Sequence, residues 1–308
     1  MTQPLDLIPE NLSIFPPTRD DITFTHSVFA QCFLPLRKPK DDKFYEVQHG
    51  RASLVIQSGV LLNPETGKFE QQQVPYGSAA RIILAHIHNH VIRASSLDEA
   101  QTIPMGDSLR DFFQNHRLSY GGKNGQQIVG QIGNIAAARI TIGLWQDNKA
   151  KQINVPTLAE EIDFWLEKDD RQRTLWQPSM ILNRRYAEAI RERRVPLDMR
   201  TLIGLYSKPR AMDVFTWLSY RLPLVKANNG VFIPFYGDSG LHAVFGAGIV
   251  RERLFRAEFI KTLNEVVRWY PEARLSIEEQ GIRIYNSPSP IPAEHSIGTG
   301  KSLFFVDK

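Results

Sequence analysis

VPYGSAARIILAHIHNHVIRAS (Val74–Ser95), IPMGDSLRDFFQNHRLSYGG (Ile103–Gly122) and KNGQQIVGQIGNIAAARITIGL (Lys123–Leu144) follow one another and decide the fold. The first places Ile83, Ile87, Val91 and Ala94 on one stripe of a helix running from about Gly77 to Ala94. In the second, Gly106-Asp107-Ser108 predicts a helix start, because an Asp or Ser oxygen accepts an orphan amide bond there. Leu109, Phe112 and Phe113 would face inward. In the third, Ile128, Ile132 and Ile135 mark a buried stripe after the Gly121-Gly122 turn. Gly130 and Gly133 each weaken that helix by ~1 kcal/mol relative to alanine, which suits close packing on another backbone. Alternating Arg139–Trp145 and then Lys151–Val155 read as paired strands joined by Gln146–Ala150. Helix, short helix, glycine turn, helix and hairpin is the order of a winged helix-turn-helix. The third helix carries Gln126, Gln127, Gln131 and Asn134, amides that suit adenine edges or phosphates.

Working outward, residues 1–22 are Pro-rich and aperiodic and read as an arm. Thr23–Leu36 and Glu46–Ser58 read as strands. Asn63–Gly67 is a hairpin turn between Gly59–Leu62 and Lys68–Val74. The charge-rich Glu167–Arg173 reads as a domain connection. Beyond it come a strand near Thr174–Leu182 and a helix at about Asn183–Glu192, broken by Pro196. Asp198 would cap the next helix, and Ala211–Arg221 would form another. A turn and short helix at Phe235–Phe245 precede a helix at Glu252–Tyr270. A hairpin of Arg274–Glu279 and Ile282–Asn286 follows. The expected architecture is α+β: two winged-helix units after a short N-terminal arm. Its parts are the arm 1–22, a first domain 23–168, a second, DNA-binding domain 174–292 and a tail 293–308. The second domain is expected to fold alone and to hold most nonspecific DNA affinity.

Charge supports that division. Residues 1–170 hold 16 Lys and Arg against 20 Asp and Glu, whereas residues 171–308 hold 21 against 13. A basic half beside an acidic one points to a polyanionic partner for the C-terminal half. Cys32 is the single cysteine, which excludes an internal disulfide framework and fits a reducing cytoplasm. The N-terminus has no basic region followed by an apolar run, and no stretch approaches the ~20 apolar residues a membrane helix needs. No secretion leader and no membrane association are expected.

The residues that could carry chemistry mostly point away from catalysis. His86 and His90 share a helix face, a spacing that suits zinc, yet further ligands are missing. Gly121–Gly125 and Gly246–Gly248 lack the Gly-Lys-Ser/Thr phosphate loop. Asp238–Gly240 is not a nucleophile elbow, and no paired carboxylates stand at a suggestive spacing. A non-enzyme with no catalytic or metal residues and no cofactor is expected. The helix Glu252–Tyr270 differs. Phe255, Phe259, Leu263, Val266 and Tyr270 fall in one apolar arc; Arg253, Ala257, Lys261, Asn264 and Arg268 fall nearly opposite. Together with Arg274 and Arg283 of the following hairpin, this face is the leading DNA-binding candidate. Lys123, Asn124, Gln126, Gln127 and Gln131 are the candidates in the first unit. Trp165, Trp176, Trp217 and Tyr220 read as core or interface residues.

The chain resembles the plasmid-encoded RepA family of replication initiators. The blocks that carry the resemblance are PYGSAAR (Pro75–Arg81), MGDSLRDFF (Met105–Phe113) and YGGKNG (Tyr120–Gly125). VPLDMRTLIGLYSKPRAMDVFTWLSYR (Val195–Arg221), FIKTLNEVVRWYPEARLSI (Phe259–Ile277) and NSPSPIP (Asn286–Pro292) continue it. Their order spans residues 74–292. The resemblance implies double-stranded origin DNA as partner, local opening of A·T-rich duplex, and recruitment of a host helicase or other replication protein. It leaves open a homodimer, and whether the first unit reads bases or mediates dimerisation. A winged-helix transcriptional repressor is the competing reading, and a rolling-circle nicking enzyme a more distant one.

Overall fold

A computed structural model describes residues 15–63, 66–106, 109–116, 118, 122–146, 149–163, 179–249 and 251–291. The chain divides into two compact units, residues 37–192 and residues 1–36 with 193–308. The strands, in chain order, are β1 (Ile22–His26), β2 (Phe44–His49), β3 (Ala52–Gln57), β4 (Val60–Asn63) and β5 (Lys68–Gln71). Next come β6 (Thr102–Pro104), β7 (Arg139–Gln146), β8 (Lys149–Val155), β9 (Ala159–Ile162) and β10 (Ser179–Leu182). β11 (Arg194–Asp198), β12 (Val231–Pro234), β13 (Leu275–Ile277) and β14 (Gly281–Ile284) complete the set. The chain is α+β, as expected.

In the 37–192 unit the three expected helices are present as Gly77–Arg93, Leu109–Asn115 and Gly122–Ala136. Ile83, Ile87 and Val91 are fully buried, as are Ile128 and Ile135 from the facing helix. Phe112 and Phe113 are buried too, while the expected cap residues Asp107 and Ser108 lie outside the described residues. The hairpin β7–β8 joins β3 and β2 in an antiparallel sheet ordered β2-β3-β7-β8. Leu54, Ile56, Ile140 and Ile142 line its buried face; alternate positions such as Gln48 and Gln152 face solvent. Residues 46–58, expected as one strand, are two. The chain reverses between His49 and Ala52, where Gly50 takes φ +56°. β4 and β5 pair as the expected hairpin. Gly133 lets it approach, since a side chain there would press on Gln72 and Leu61; Gly130 faces open space. The short strand β6 pairs with β10 and not with the β7–β8 hairpin.

The other unit is assembled from both ends of the chain. β1 pairs antiparallel with β11, from Ile22 opposite Asp198 to His26 opposite Arg194. All five β1 residues are buried. Pro196, expected as a helix breaker, sits within β11 opposite Phe24. A two-stranded sheet leaves each strand a free edge, where the missing proline N–H costs no ladder bond. Residues 27–36 are turns rather than strand; Val28, Ala30 and Cys32 are buried there and Phe33 stacks on Phe245 at 5.2 Å. Asp198 caps the helix Met199–Gly204 by accepting from the Arg200 amide at 2.9 Å. Its carboxylate also grips the Arg200 guanidinium at 2.6 Å, and Arg200 Nη1 donates to the Phe15 carbonyl at 2.8 Å.

The expected division is therefore corrected. The strand at 22–26 belongs with the C-terminal unit, and the helix Arg184–Glu192 belongs with the 37–192 unit, where Lys151 bridges to Glu192 at 2.8 Å. The expected connection at Glu167–Arg173 lies outside the described residues. The charge contrast changes with it. Residues 37–192 carry 20 Lys and Arg against 18 Asp and Glu; the remainder carries 17 against 15. The acidic N-terminal segment, with Asp20 and Asp21, folds into the unit that the basic segment builds, so net charge does not separate the two.

A fragment of residues 174–292 lacks β1 and exposes the buried side of β11. It is expected to show no cooperative unfolding transition. Residues 15–36 joined to 193–291 by a short Gly/Ser linker should show one in a urea titration followed by circular dichroism. A 174–292 fragment with a sharp native-like transition would overturn this account.

Candidate nucleic-acid interface

The site is built on the helix Glu252–Trp269. Its apolar arc is buried as the periodicity predicts: Phe255, Phe259, Leu263, Val266 and Tyr270 have no exposed surface, and Trp269 has 8%. Burying each such side chain contributes roughly 1.5–3 kcal/mol, which locks the rotation of the helix about its axis. Phe259 packs against Phe245 of the helix Leu241–Phe245 at 5.4 Å, and the His242 ring meets Phe255 edge-on at 4.9 Å. The Trp269 indole lies against Gly204, where any Cβ would overlap it. At the C-terminal end the Tyr270 hydroxyl donates to the Pro288 carbonyl at 2.5 Å.

With that arc inside, Arg253, Ala257, Lys261, Asn264 and Arg268 are all exposed. Among the described residues, nothing engages the side chains of Arg253, Lys261 or Asn264 in a hydrogen bond or ion pair. The helix's carboxylates, Glu252, Glu258 and Glu265, fall outside this arc, and Glu265 is bridged by Lys208 at 2.5 Å. Arg256, on the flank, is held over the Phe235 ring at 5.4 Å. Arg251, which sequence periodicity did not single out, is exposed just before the first turn. The cluster Arg251, Arg253 and Arg256 was the signal for it.

The hairpin is less basic than expected. Arg274 is exposed. Arg283, expected to contact DNA, instead binds Glu278 at 2.7 Å and lies over the Phe232 ring at 5.6 Å. The turn between β13 and β14 carries Glu278 and Glu279, so its tip is acidic. A cation already paired across a hairpin has little charge left for phosphate. β14 lies between β12 and β13, so the sheet order is β12-β14-β13.

In the 37–192 unit the candidates part ways. Gln126 and Gln127 are exposed; the side chains of Lys123 and Asn124 lie outside the described residues. Gln131 is corrected: it is 2% exposed, and its Oε1 accepts the Tyr76 amide at 2.9 Å. Asn134 is likewise buried and accepts the Gln73 amide at 3.0 Å. These amides satisfy backbone donors in the segment leading into the helix Gly77–Arg93, so they pin two elements together and do not reach outward. Trp217 is buried as expected; Trp165 and Trp176 lie outside the described residues.

Among the described residues, three histidines are held by main-chain carbonyls. His86 and His90 direct Nε2 at the carbonyls of Pro104 and Glu99, at 2.9 and 3.0 Å, and His116 Nδ1 meets the Phe112 carbonyl at 2.7 Å. Each carbonyl takes a proton from the ring nitrogen that meets it. No metal-holding cluster of three His, Cys, Asp or Glu occurs among the described residues. Burial, reinforced by His116, pushes His86 down to about 3, and burial lowers His116 as well. Among the described residues, no helix is long and apolar enough to cross a membrane.

The geometry defines a class first: an α+β chain that presents a carboxylate-free basic helix face beside a three-stranded sheet. A family model described as plasmid-encoded RepA protein matches residues 74–233, more than half of the chain. The chain belongs to this family, whose replication initiators the sequence blocks resemble. The match ends before the helix Glu252–Trp269, so that face rests on its own geometry. The crystal structure of RctB domains 2-3 is similar at a TM-score of 0.51 and 13% identity, covering 84% of this chain and 96% of that one. The selenomethionine derivative of RctB domains 2 and 3 is similar at a TM-score of 0.51 and 11% identity, over 88% and 99%. At these identities the likeness is one of fold. No curated protein sequence matches.

Two outcomes follow from the buried polar groups. Gln131→Ala leaves the Tyr76 amide without its partner and should lower stability by about 1–3 kcal/mol, while DNA affinity of the folded chain stays unchanged. A loss of affinity without loss of stability would return Gln131 to the interface. For His86 and His116 the folded rings are neutral, whereas unfolded rings take a proton near ~6.5. The His86 contribution is complete above that pH and is lost as pH falls toward 3, and His116 acts in the same direction. The urea midpoint should drop between pH 7.5 and 5, and less steeply in His86→Gln.

Proposed function

We propose that the protein initiates plasmid replication by binding double-stranded origin DNA sequence-specifically through the exposed face of the helix Glu252–Trp269. The carrying observation is the pairing of a wholly buried apolar arc with an opposite exposed arc of Arg253, Lys261, Asn264 and Arg268 that contains no carboxylate. Burial fixes which way those cations point. The surrounding order supports a winged-helix assignment for this unit: helix Pro209–Arg221, β12, a short helix, the basic helix, then β13 and β14 with β14 against β12. In that arrangement the basic helix enters the major groove and the hairpin lies along the backbone. The acidic hairpin tip faces away from phosphate in this reading, and Arg274 at its base supplies the contact.

The 37–192 unit repeats the helix-helix-hairpin order, and we assign it as a second winged helix with an altered sheet. Its exposed Gln126 and Gln127, together with Lys123 and Asn124, are its candidates for DNA contact. The action proposed is non-enzymatic. Bound copies distort adjacent A·T-rich duplex, and a host helicase or other replication protein is then recruited; family membership supports that last step. A cytoplasmic location accords with this role.

Replacing Arg253, Lys261 and Arg268 together with Ala removes three cations without touching the buried arc. If each neutralises a phosphate, the slope of log K against log salt should shrink by roughly 2.7, at ~0.9 per phosphate. Circular dichroism should be unchanged. A folded triple variant with native affinity and slope, on both origin and scrambled duplex, would move the DNA surface elsewhere.

A further inference from the structure

The basic face has an internal order along the helix axis. Arg253 and Arg268 stand near its two ends, fifteen residues apart, which at 1.5 Å per residue is about 22 Å. Between them lie Ala257, Lys261 and Asn264. The major groove curves away from a straight helix, so the outer arginines reach the backbone while the central residues lie over the base edges. Ala257 and Asn264 are the two uncharged members of the arc. Both are exposed, and at 100° per residue both lie within about 20° of its midline.

Neither residue carries a charge for a phosphate. Asn264 offers one acceptor and two donors on a short stem, the pattern that pairs in bidentate fashion with adenine N6 and N7. Ala257 offers a single methyl group, which can touch a thymine C5-methyl and leaves the helix backbone near the bases. A long or charged side chain at either position would hold the helix off the groove floor. The two are seven residues apart, about 10 Å along the axis. That matches about three base-pair steps of ~3.4 Å.

Resting on the DNA-binding reading above, we propose that Asn264 and Ala257 are the sequence-reading residues of this helix. Asn264 reads an adenine and Ala257 a thymine methyl, about three steps apart, while Arg253, Lys261 and Arg268 hold phosphates. The ligand class is thus duplex DNA with two specified A·T pairs under this helix. Backbone affinity and base preference reside in different side chains of one face.

The test is selection from a random duplex library by the full chain, its Asn264→Ala variant and its Ala257→Gly variant. Salt slopes are measured in parallel on scrambled duplex. The native chain should enrich a motif with a fixed adenine and a fixed thymine about three steps apart. Asn264→Ala should lose the adenine alone, at a cost of roughly 5- to 150-fold on the native motif, with an unchanged salt slope. Uracil in place of the fixed thymine should weaken the native chain and leave Ala257→Gly indifferent. Variants that enrich the same motif as the native chain overturn the proposal. A native motif without those two columns overturns it as well. Both results leave the phosphate reading standing if the triple-cation variant loses slope. A triple variant with native slope, by contrast, strikes the DNA-binding reading itself.

Discussion

The pairing of β1 with β11 is the constraint on which the rest of this structure depends. Five residues from near the N-terminus lie, wholly buried, against five residues that begin the C-terminal segment. Ser27 extends the contact by donating its amide to the Arg193 carbonyl at 2.9 Å. The chain therefore leaves this unit at about residue 36 and returns to it at about residue 193, with a complete unit formed in between. β11 runs directly into Asp198, which caps the next helix and binds Arg200. The ladder thus sets the position from which the helices of this unit start. The nearly buried Asp198–Arg200 pair is tolerated because the carboxylate is met by the guanidinium and a backbone amide together, while Arg200 also finds a main-chain carbonyl.

From that base the basic helix is oriented by packing alone. Its exposed face makes few contacts within the protein, so the direction of Arg253, Lys261 and Asn264 follows from Phe255, Phe259 and Leu263 on the other side. Rotating the helix by one residue, 100°, would expose phenylalanines and bury arginines, at a cost of several kcal/mol on each count. This is why an exposed surface can be specified by residues that lie beneath it. Some flanking charges are met locally: Lys208 takes Glu265, Glu278 takes Arg283, and the Phe235 ring takes Arg256. What remains outward on the arc is positive.

The 37–192 unit shows how a polar residue on a promising helix can be absorbed by structure. Gln126, Gln127, Gln131 and Asn134 look alike as amides on one helix. The first two are exposed, and the last two are consumed by the amides of Tyr76 and Gln73. Those amides lie in the segment between the β4–β5 hairpin and the helix Gly77–Arg93, where no ladder satisfies them. Unpaired donors near a core are costly, and neighbouring amide oxygens are drawn in to meet them. His86, His90 and His116 are used in the same way, each ring turned to a carbonyl.

The sequence by itself determined the helices and their buried stripes, because a period of 3.6 is a local property and apolar residues at that spacing have one stable use. It determined the basic face for the same reason, since the face is the complement of the stripe. It also determined the family, through blocks that lie mostly within the matched residues 74–233. Tertiary structure alone decided the division into units, because strand pairing between residues 22–26 and 194–198 leaves no mark in either segment's own pattern. It alone decided that Gln131 and Arg283 are spent inside the protein, because their partners, Tyr76 and Glu278, are chosen by distance in the folded chain and not by residue type. And it dissolved the apparent contrast of charge, since an acidic N-terminal segment folds onto the basic one that sequence order had kept apart.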